Sequence, residues 1–244
     1  MPSPVPFFAL TTRGLEDVSA AEIAAVPGVS ITSVAYRRVV GRCHAPITPL
    51  LSLKTVDDVF VHLATWGAIG RSRAALACIA ALSRELDPAA AARACARVRP
   101  LGQPPSFSVT ASFTGRRNYT TVEIKTTLAA GMSHTQGWRY QPDDRLADVN
   151  LRVVVEHEVA LVGMRLGKCP LHERPYRVVH RPGALKPPVA AALLRLAALA
   201  PGVRLLDPYC GTGTIAIEAA PGLMPPPRAW PSRCAVPPAG ALPR

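Results

Sequence analysis

The chain has 244 residues, 49% of them apolar, enough to bury ordinary cores in one large domain or two compact ones, and it reads as globular. Lys plus Arg number 28 against 16 acidic residues, a net charge of +12, which suits a polyanionic partner such as nucleic acid or a proteome biased toward Arg, Ala and Pro. The scattered cysteines hold no C-x-x-C pair, no apolar run reaches the ~18 residues of a membrane span, and the N-terminus lacks a basic secretory start. Neither a metal site nor a membrane setting is expected, and a reduced, cytoplasmic setting is the default reading.

In chain order, "PFFALTTRG" predicts a strand closed by a glycine turn, and "LEDVSAAEIAAV" a helix with acids in its first turn, stopped by Pro27-Gly28. "VSITSVAYRRVVGRC" is rich in β-branched residues and predicts one long strand or a hairpin. "PITPLLSLKTVDDVFVHLA" reads as a second helical region, so residues 1–65 suit a ferredoxin-like layer of helices on one face of an open sheet. Next, "RSRAALACIAALSRELDPAAAARACARVRP" is Ala-rich and helical, interrupted at Pro88. "FSVTASFTG" predicts a strand and "RRNYTTVEIKTTLAAGM" a turn into a helix capped by Thr120 or Thr121. "LADVNLRVVVEHEVALVGMRLG" predicts a hairpin turning near His157-Glu158. Residues 66–167 thus form a second small α/β unit.

"KCPLHERPYRVVHRPGALK", residues 168–186, is rich in Arg and Pro and reads as an extended connector. The helix "VAAALLRLAAL" follows, and then "LLDPYCGTGTIAIEAA", residues 205–220. The last segment, residues 221–244, has eight prolines among 24 residues and no strand or helix period, so it reads as disordered.

In residues 205–220 an apolar strand ends on Asp207, the turn is "PYCGTGT", and a helix begins at "IAIEAA". Gly211 and Gly213 let a ligand approach the backbone, and the helix start offers free N–H groups to an anion. Ile217 and Glu218 stand where a dinucleotide fingerprint G-x-G-x-x-G would seek its third small residue, which disfavours NAD. Cys210 has no neighbour that would lower its pKa and reads as a small packing residue.

This stretch resembles the first motif of S-adenosylmethionine-dependent RNA methyltransferases that carry a THUMP domain and modify tRNA or ribosomal RNA, where D-P-x-C-G-[ST]-G-T-x-x-I-E-A-A recurs. "FFALTTRGLEDVSAAEI" looks like the family's N-terminal ferredoxin-like domain, "FSVTASFTGRRNYTTVEI" and "DVNLRVVVEHEVALVGMRLG" like THUMP segments, and "ERPYRVVHRPGALKPPVAAALLRLA" like the connector into the catalytic domain. The resemblance implies a mixed α/β chain: ferredoxin-like residues 1–65, THUMP-like residues 66–167, and the start of a Rossmann-like methyltransferase domain at 187–220. It implies S-adenosylmethionine as cofactor, with Asp207 near the methionine moiety, Pro208, Gly211 and Gly213 shaping the turn, and Thr212 and Thr214 adding hydroxyl contacts. Its partner would be RNA, above all tRNA, met by Arg116, Arg117 and Lys125 with Tyr119 stacking on a base, and by Arg174, Arg177, His180 and Arg181 of the connector. A solvated charged face remains the alternative for these residues. His172 and His180 lack ligand-spaced partners.

The family's later [ND]-P-P-[FY] turn, which would receive hydrogen bonds from the target amine, does not occur in the sequence, and no catalytic residue is assigned. A complete domain of this kind takes roughly 150 residues, and only about 60 follow the connector. Two readings therefore stand: an RNA guanine-N2 methyltransferase by descent, inactive alone, or a non-catalytic RNA-binding module.

Overall fold

The computed structural model describes residues 3–177 and 181–223. Seven strands, β1 (Val5–Thr11), β2 (Val29–Ala35), β3 (Arg38–Cys43), β4 (Val56–Trp66), β5 (Phe107–Phe113), β6 (Val149–Glu156) and β7 (Val159–Arg165), make a single sheet in the order β2-β3-β1-β4-β7-β6-β5. Every pair is antiparallel except β5 with β6. A parallel pair needs a crossover, and the helix α4 (Thr121–Gln136) supplies it. The architecture is mixed α/β, as the sequence predicts.

Period-two alternation decides the two faces of the sheet. Phe7, Val61, Leu151 and Met164 point to one face, where they share a single buried cluster with Ile23, Ile79 and Leu128. These last three lie on α1 (Glu16–Ala24), α2 (Ala74–Arg84) and α4, and α3 (Ala89–Ala96) adds Ala91 and Ala94 to the same cluster. Each large apolar side chain so enclosed is worth about 1.5–3 kcal/mol relative to exposure. α4 begins as its sequence indicates: Thr120 Oγ1 accepts from the Glu123 N–H at 3.2 Å, and the Glu123 carboxylate accepts from the Thr120 N–H at 2.8 Å. The β6–β7 hairpin turns at His157-Glu158, and α2 and α3 break on either side of Pro88.

The other face has a different chemistry. Phe8 and Phe60 stack at 5.1 Å between ring centres and, with Leu161, form a small apolar patch. Phe8 lies so close to the sheet that a Cβ on Gly163 would stand 2.4 Å from its ring, which is why glycine occupies that position. Toward the β5–β6 edge the same face turns polar. Asn150 donates to Ser108 Oγ at 2.8 Å and to Thr110 Oγ1 at 2.9 Å, and Arg152 donates to Ser112 Oγ at 2.7 Å.

One expected element is corrected. Residues 46–64, read as helical, instead form a short 3₁₀ turn, Thr48–Ser52, followed by the eleven-residue strand β4. β4 pairs with β1 on one side and β7 on the other, so its flanking contacts outweigh the helix-like spacing of its apolar residues. It also runs through the junction between residues 65 and 66, so one sheet contains the strands on both sides of it.

β4 carries a buried charge. Asp58, 4% exposed, accepts from Arg165 Nε at 2.7 Å and from the Val59 N–H, and Arg165 also reaches Asp144. Burial pushes the Asp58 carboxyl up to about 6, against the pull of Arg165 and, more weakly, of His172. Folded Asp58 therefore keeps a proton that the unfolded carboxylate has already lost, so its contribution to stability falls as pH rises from about 4 to about 6. Asp58→Asn keeps the shape and an oxygen for Arg165, and it should flatten this part of the profile. Thermal melts from about pH 4 to 7 check this, and an unchanged profile in the variant refutes it.

Candidate functional site

The glycine-rich motif lies between two helices, α5 (Pro187–Leu196) and α6 (Thr214–Leu223). α5 starts on Pro187-Pro188, whose fixed φ suits a first helical turn, and it buries Ala190, Ala192 and Leu194. It ends before Gly202, which sits at φ 87°. Residues 203–207, read as a strand from sequence, are not one: a strand is held by its neighbours, and none of the seven described strands runs beside them. Their apolar side chains stay open to solvent, with Leu206 86% exposed.

The turn itself is well formed. Asp207 is half-buried and accepts from the Tyr209 N–H at 3.2 Å, a short Asp-initiated turn. Gly211 and Gly213 adopt φ 52° and 71°, and a Cβ at either would meet nothing closer than 3.9 Å. Backbone conformation, not crowding, is what requires glycine there. The Gly213 N–H donates to the Cys210 carbonyl at 2.7 Å, and the hydroxyls of Thr212 and Thr214 lie 3.0 Å apart. α6 then starts at Thr214, and the N–H groups of its first turn lack intrahelical acceptors, which favours an anionic group in front of them. Pro208 is exposed, and so is Cys210, so the expectation of a packed thiol is corrected: among the described residues no side chain covers it.

Glu218, one turn into α6, was not anticipated as a site residue. Its carboxylate receives Arg174 Nε at 2.9 Å and Nη2 at 3.4 Å, with side-chain exposures of 6% for Arg174 and 4% for Glu218. The Tyr176 hydroxyl donates to the same carboxylate, and burial together with that bond raises the Tyr176 pKa. Arg174 also donates to the carbonyls of Leu171 and Lys54. Beside it, buried Glu22 of α1 accepts from the N–H groups of Lys54 and Thr55 and from Arg195 of α5 at 3.3 Å. The motif helix, the connector and the sheet unit are thus tied by buried charge. Glu218 lies 44 residues from Arg174, and no local spacing announces the pair.

The residues expected to meet RNA fall into two sets. Arg116 and Arg181 are exposed and Lys125 is half-buried, all without a side-chain hydrogen bond or ion pair among the described residues. Arg117 is turned inward, donating to the carbonyls of Ile69, Gly70 and His157 and to the Tyr119 hydroxyl. Tyr119, expected to stack on a base, is 3% exposed, and Arg174 is committed to Glu218. Arg177 is half-buried, with Nη2 lacking a partner among the described residues. His172 Nδ1 lies 3.1 Å from the Asp57 carbonyl, whereas His180 and residues 224–244 of the Pro-rich segment lie outside the described residues. Among the described residues no group of three or more His, Cys, Asp or Glu is placed to hold a metal ion, and no helix is long and apolar enough to cross a membrane.

Residues 174–229 match the family model described as UPF0020, an RMKL-like methyltransferase domain. The chain is 39% identical over 147 residues to a tRNA (guanine(6)-N2)-methyltransferase of Thermus thermophilus, covering 59% of this chain and 43% of that protein. Against the tRNA (guanine(6)-N2)-methyltransferase of Methanocaldococcus jannaschii the identity is 33% over 122 residues, covering 47% and 32%. The matched stretch thus spans less than half of each of these relatives. The fold matches the crystal structure of TrmN from Thermus thermophilus with a TM-score of 0.68 at 29% identity, covering 91% of this chain and 63% of that one.

The Arg174–Glu218 pair yields a direct expectation. Glu218→Ala leaves a buried guanidinium uncompensated and should cost about 3 kcal/mol locally. Because α6 packs mainly on α5, the loss should appear as faster amide exchange in α6 with little change in β4 and β7. Equal exchange in variant and wild type would show that the pair does not hold the helix.

Proposed function

We propose that this chain, a relative of the tRNA guanine-N2 methyltransferases, serves methyl transfer to a guanine exocyclic amine in tRNA, as its RNA-binding part joined to the first wall of the cofactor site. The observation that supports the reading is the turn at Gly211 and Gly213, whose left-handed backbone links Asp207 to the N-terminus of α6. S-adenosylmethionine, when bound there, supplies an electrophilic methyl on a sulfonium centre. The residues present fit its methionine end: the Asp207 carboxylate can receive an ammonium, and the first-turn N–H groups of α6 can receive a carboxylate. Pro208, Thr212 and Thr214 complete this wall. In this reading residues 1–65 form the ferredoxin-like unit, 66–167 the THUMP-type unit, 168–186 the connector and 187–220 the start of the methyltransferase domain, in a cytoplasmic protein.

Holding the amine in line with the methyl and accepting its hydrogen bonds is the second requirement of the reaction. The [ND]-P-P-[FY] turn expected for that task does not occur in the 244 residues. The 86% and 93% exposure of Leu206 and Tyr209 beside the turn supports the same reading. We therefore propose that these 244 residues bind tRNA but do not transfer a methyl group by themselves. That behaviour is shared with a non-catalytic RNA-binding module, and the cofactor site separates the two.

The chain incubated with labelled S-adenosylmethionine and bulk tRNA should retain tRNA without incorporating label. Affinity should fall by about 10³-fold or more between 50 and 200 mM salt if six or more phosphates are contacted. Incorporation of label would overturn the proposed inactivity. Salt-insensitive or absent retention would overturn the RNA assignment.

A further inference from the structure

The glycine turn leads into α6, and α6 is held at two points. One is its packing on α5, which is fixed to the sheet unit by α1 and by the Arg195–Glu22 pair. The other is the buried carboxylate of Glu218, which receives Arg174 and Tyr176 of the connector. The second attachment differs from the first, because the piece of chain that makes it faces two ways.

Residues 174–177 form a short turn, closed by the Arg177 N–H on the Arg174 carbonyl at 3.0 Å. Arg174 and Tyr176 reach Glu218, whereas Arg177 lines a cleft of about 820 Å³ over the polar face of the sheet, with Thr110, Ser112, Arg152 and Phe60 at its floor. Arg174 borders that cleft as well, but no residue of the glycine turn does. Arg37, Arg145, Arg152, Arg177 and Lys186 line it without a carboxylate partner among the described residues, against the unpaired carboxylates of Asp57 and Glu173. The cleft is therefore cationic. Arg177 Nη2 is buried there with no acceptor among the described residues, so an anion entering the cleft completes the bonding of this turn.

We propose that Arg174 and Tyr176 are positioning residues for the cofactor turn, and that through Glu218 they make the order of α6 depend on whether an anion occupies the cleft. The inference rests on the RNA-binding reading above, which supplies that anion as a phosphodiester, and goes beyond it by linking the two ligand sites. An anion accepted by Arg177 fixes the 174–177 turn, and the fixed turn presents the Arg174 guanidinium and the Tyr176 hydroxyl to Glu218. Arg174 is kept from swinging toward the anion itself by its bonds to the carbonyls of Leu171 and Lys54. Occupancy of the cleft therefore strengthens the hold on α6 rather than competing with it. The two states concerned are α6 tied to the connector and α6 released from it, a local opening that leaves the sheet intact. Linkage is reciprocal, so a cofactor that needs an ordered turn tightens the cleft by the same factor. The match to the methyltransferase family model begins at Arg174, which includes this turn in the matched region.

The test measures amide exchange in α6 of the full chain, free and saturated with a short labelled single-stranded RNA oligonucleotide, with saturation set by fluorescence anisotropy for each protein. In the wild type the oligonucleotide should slow exchange in α6 about fivefold or more beyond any slowing in β4 and β7. Glu218→Gln, which keeps the side-chain shape and removes the charge, should still bind the oligonucleotide but show less than about twofold of this extra slowing. Tyr176→Phe, which removes a single hydroxyl, should fall between the two and decides the matter if the first variant folds poorly. A purely structural pair predicts a looser α6 in the variants with the same response to the oligonucleotide, and that result overturns the inference. Equal slowing in α6, β4 and β7 also overturns it, since it reports only stabilisation of the whole chain by a ligand. A wild-type chain that binds the oligonucleotide without slowing α6 overturns the linkage and leaves the RNA reading standing. One that binds no oligonucleotide removes that reading, and this inference falls with it.

Discussion

Arg174 is the point on which the arrangement of this molecule depends. Its guanidinium is almost wholly removed from water, which is tolerable only because carbonyls of Leu171 and Lys54 and the carboxylate of Glu218 satisfy it together. Those three partners belong to the connector, to the loop leading into β4, and to the helix behind the glycine turn. One side chain thereby fixes where the turn stands relative to the sheet. Glu22 repeats the device nearby, accepting from the same loop and from Arg195 of α5. Connections of this kind are directional, so they set position as well as proximity, which apolar packing alone does less well.

The sheet separates the work of its two faces. One is filled by the helices and supplies the continuous core. The other has only a small apolar patch around Phe8 and Phe60 and is otherwise polar, with Arg152, Asn150, Ser112 and Thr110 projecting from adjacent strands. A face of this composition is stable in water and needs no covering layer, so it is free to receive a polar ligand. β4 supports both roles at once. Val59 and Val61 enter the core, while Asp58 and Phe60 serve the other side, and Arg165 is held from there.

The glycine turn is the opposite case, a conformation specified locally. Left-handed φ values at Gly211 and Gly213 and the bond from the Tyr209 N–H to Asp207 are fixed within seven residues. It forms although residues 203–207 before it have no neighbouring strand among the described residues. That independence lets so short a motif set its own conformation.

What the sequence determined by itself was everything that depends on neighbours along the chain. The Thr120 cap with Glu123, the hairpin at His157-Glu158, the break at Pro88, the glycine turn and the motif that led to the methyltransferase relationship are all set by contacts within a few residues. Tertiary structure decided what depends on distant partners. The segment leading into β4 has helical spacing, but pairing on both edges made it a strand, whereas residues 203–207 have no paired neighbour among the described residues. Arg117, Tyr119 and Arg174 look in sequence like a basic, aromatic surface. Burial turned them inward, because carbonyls and a carboxylate from residues about 40 or more positions away satisfy them there. The cleft over Arg152 and Arg177 has no linear signature, since its floor and walls come from separate strands, loops and the connector, and only the folded sheet brings them to one place.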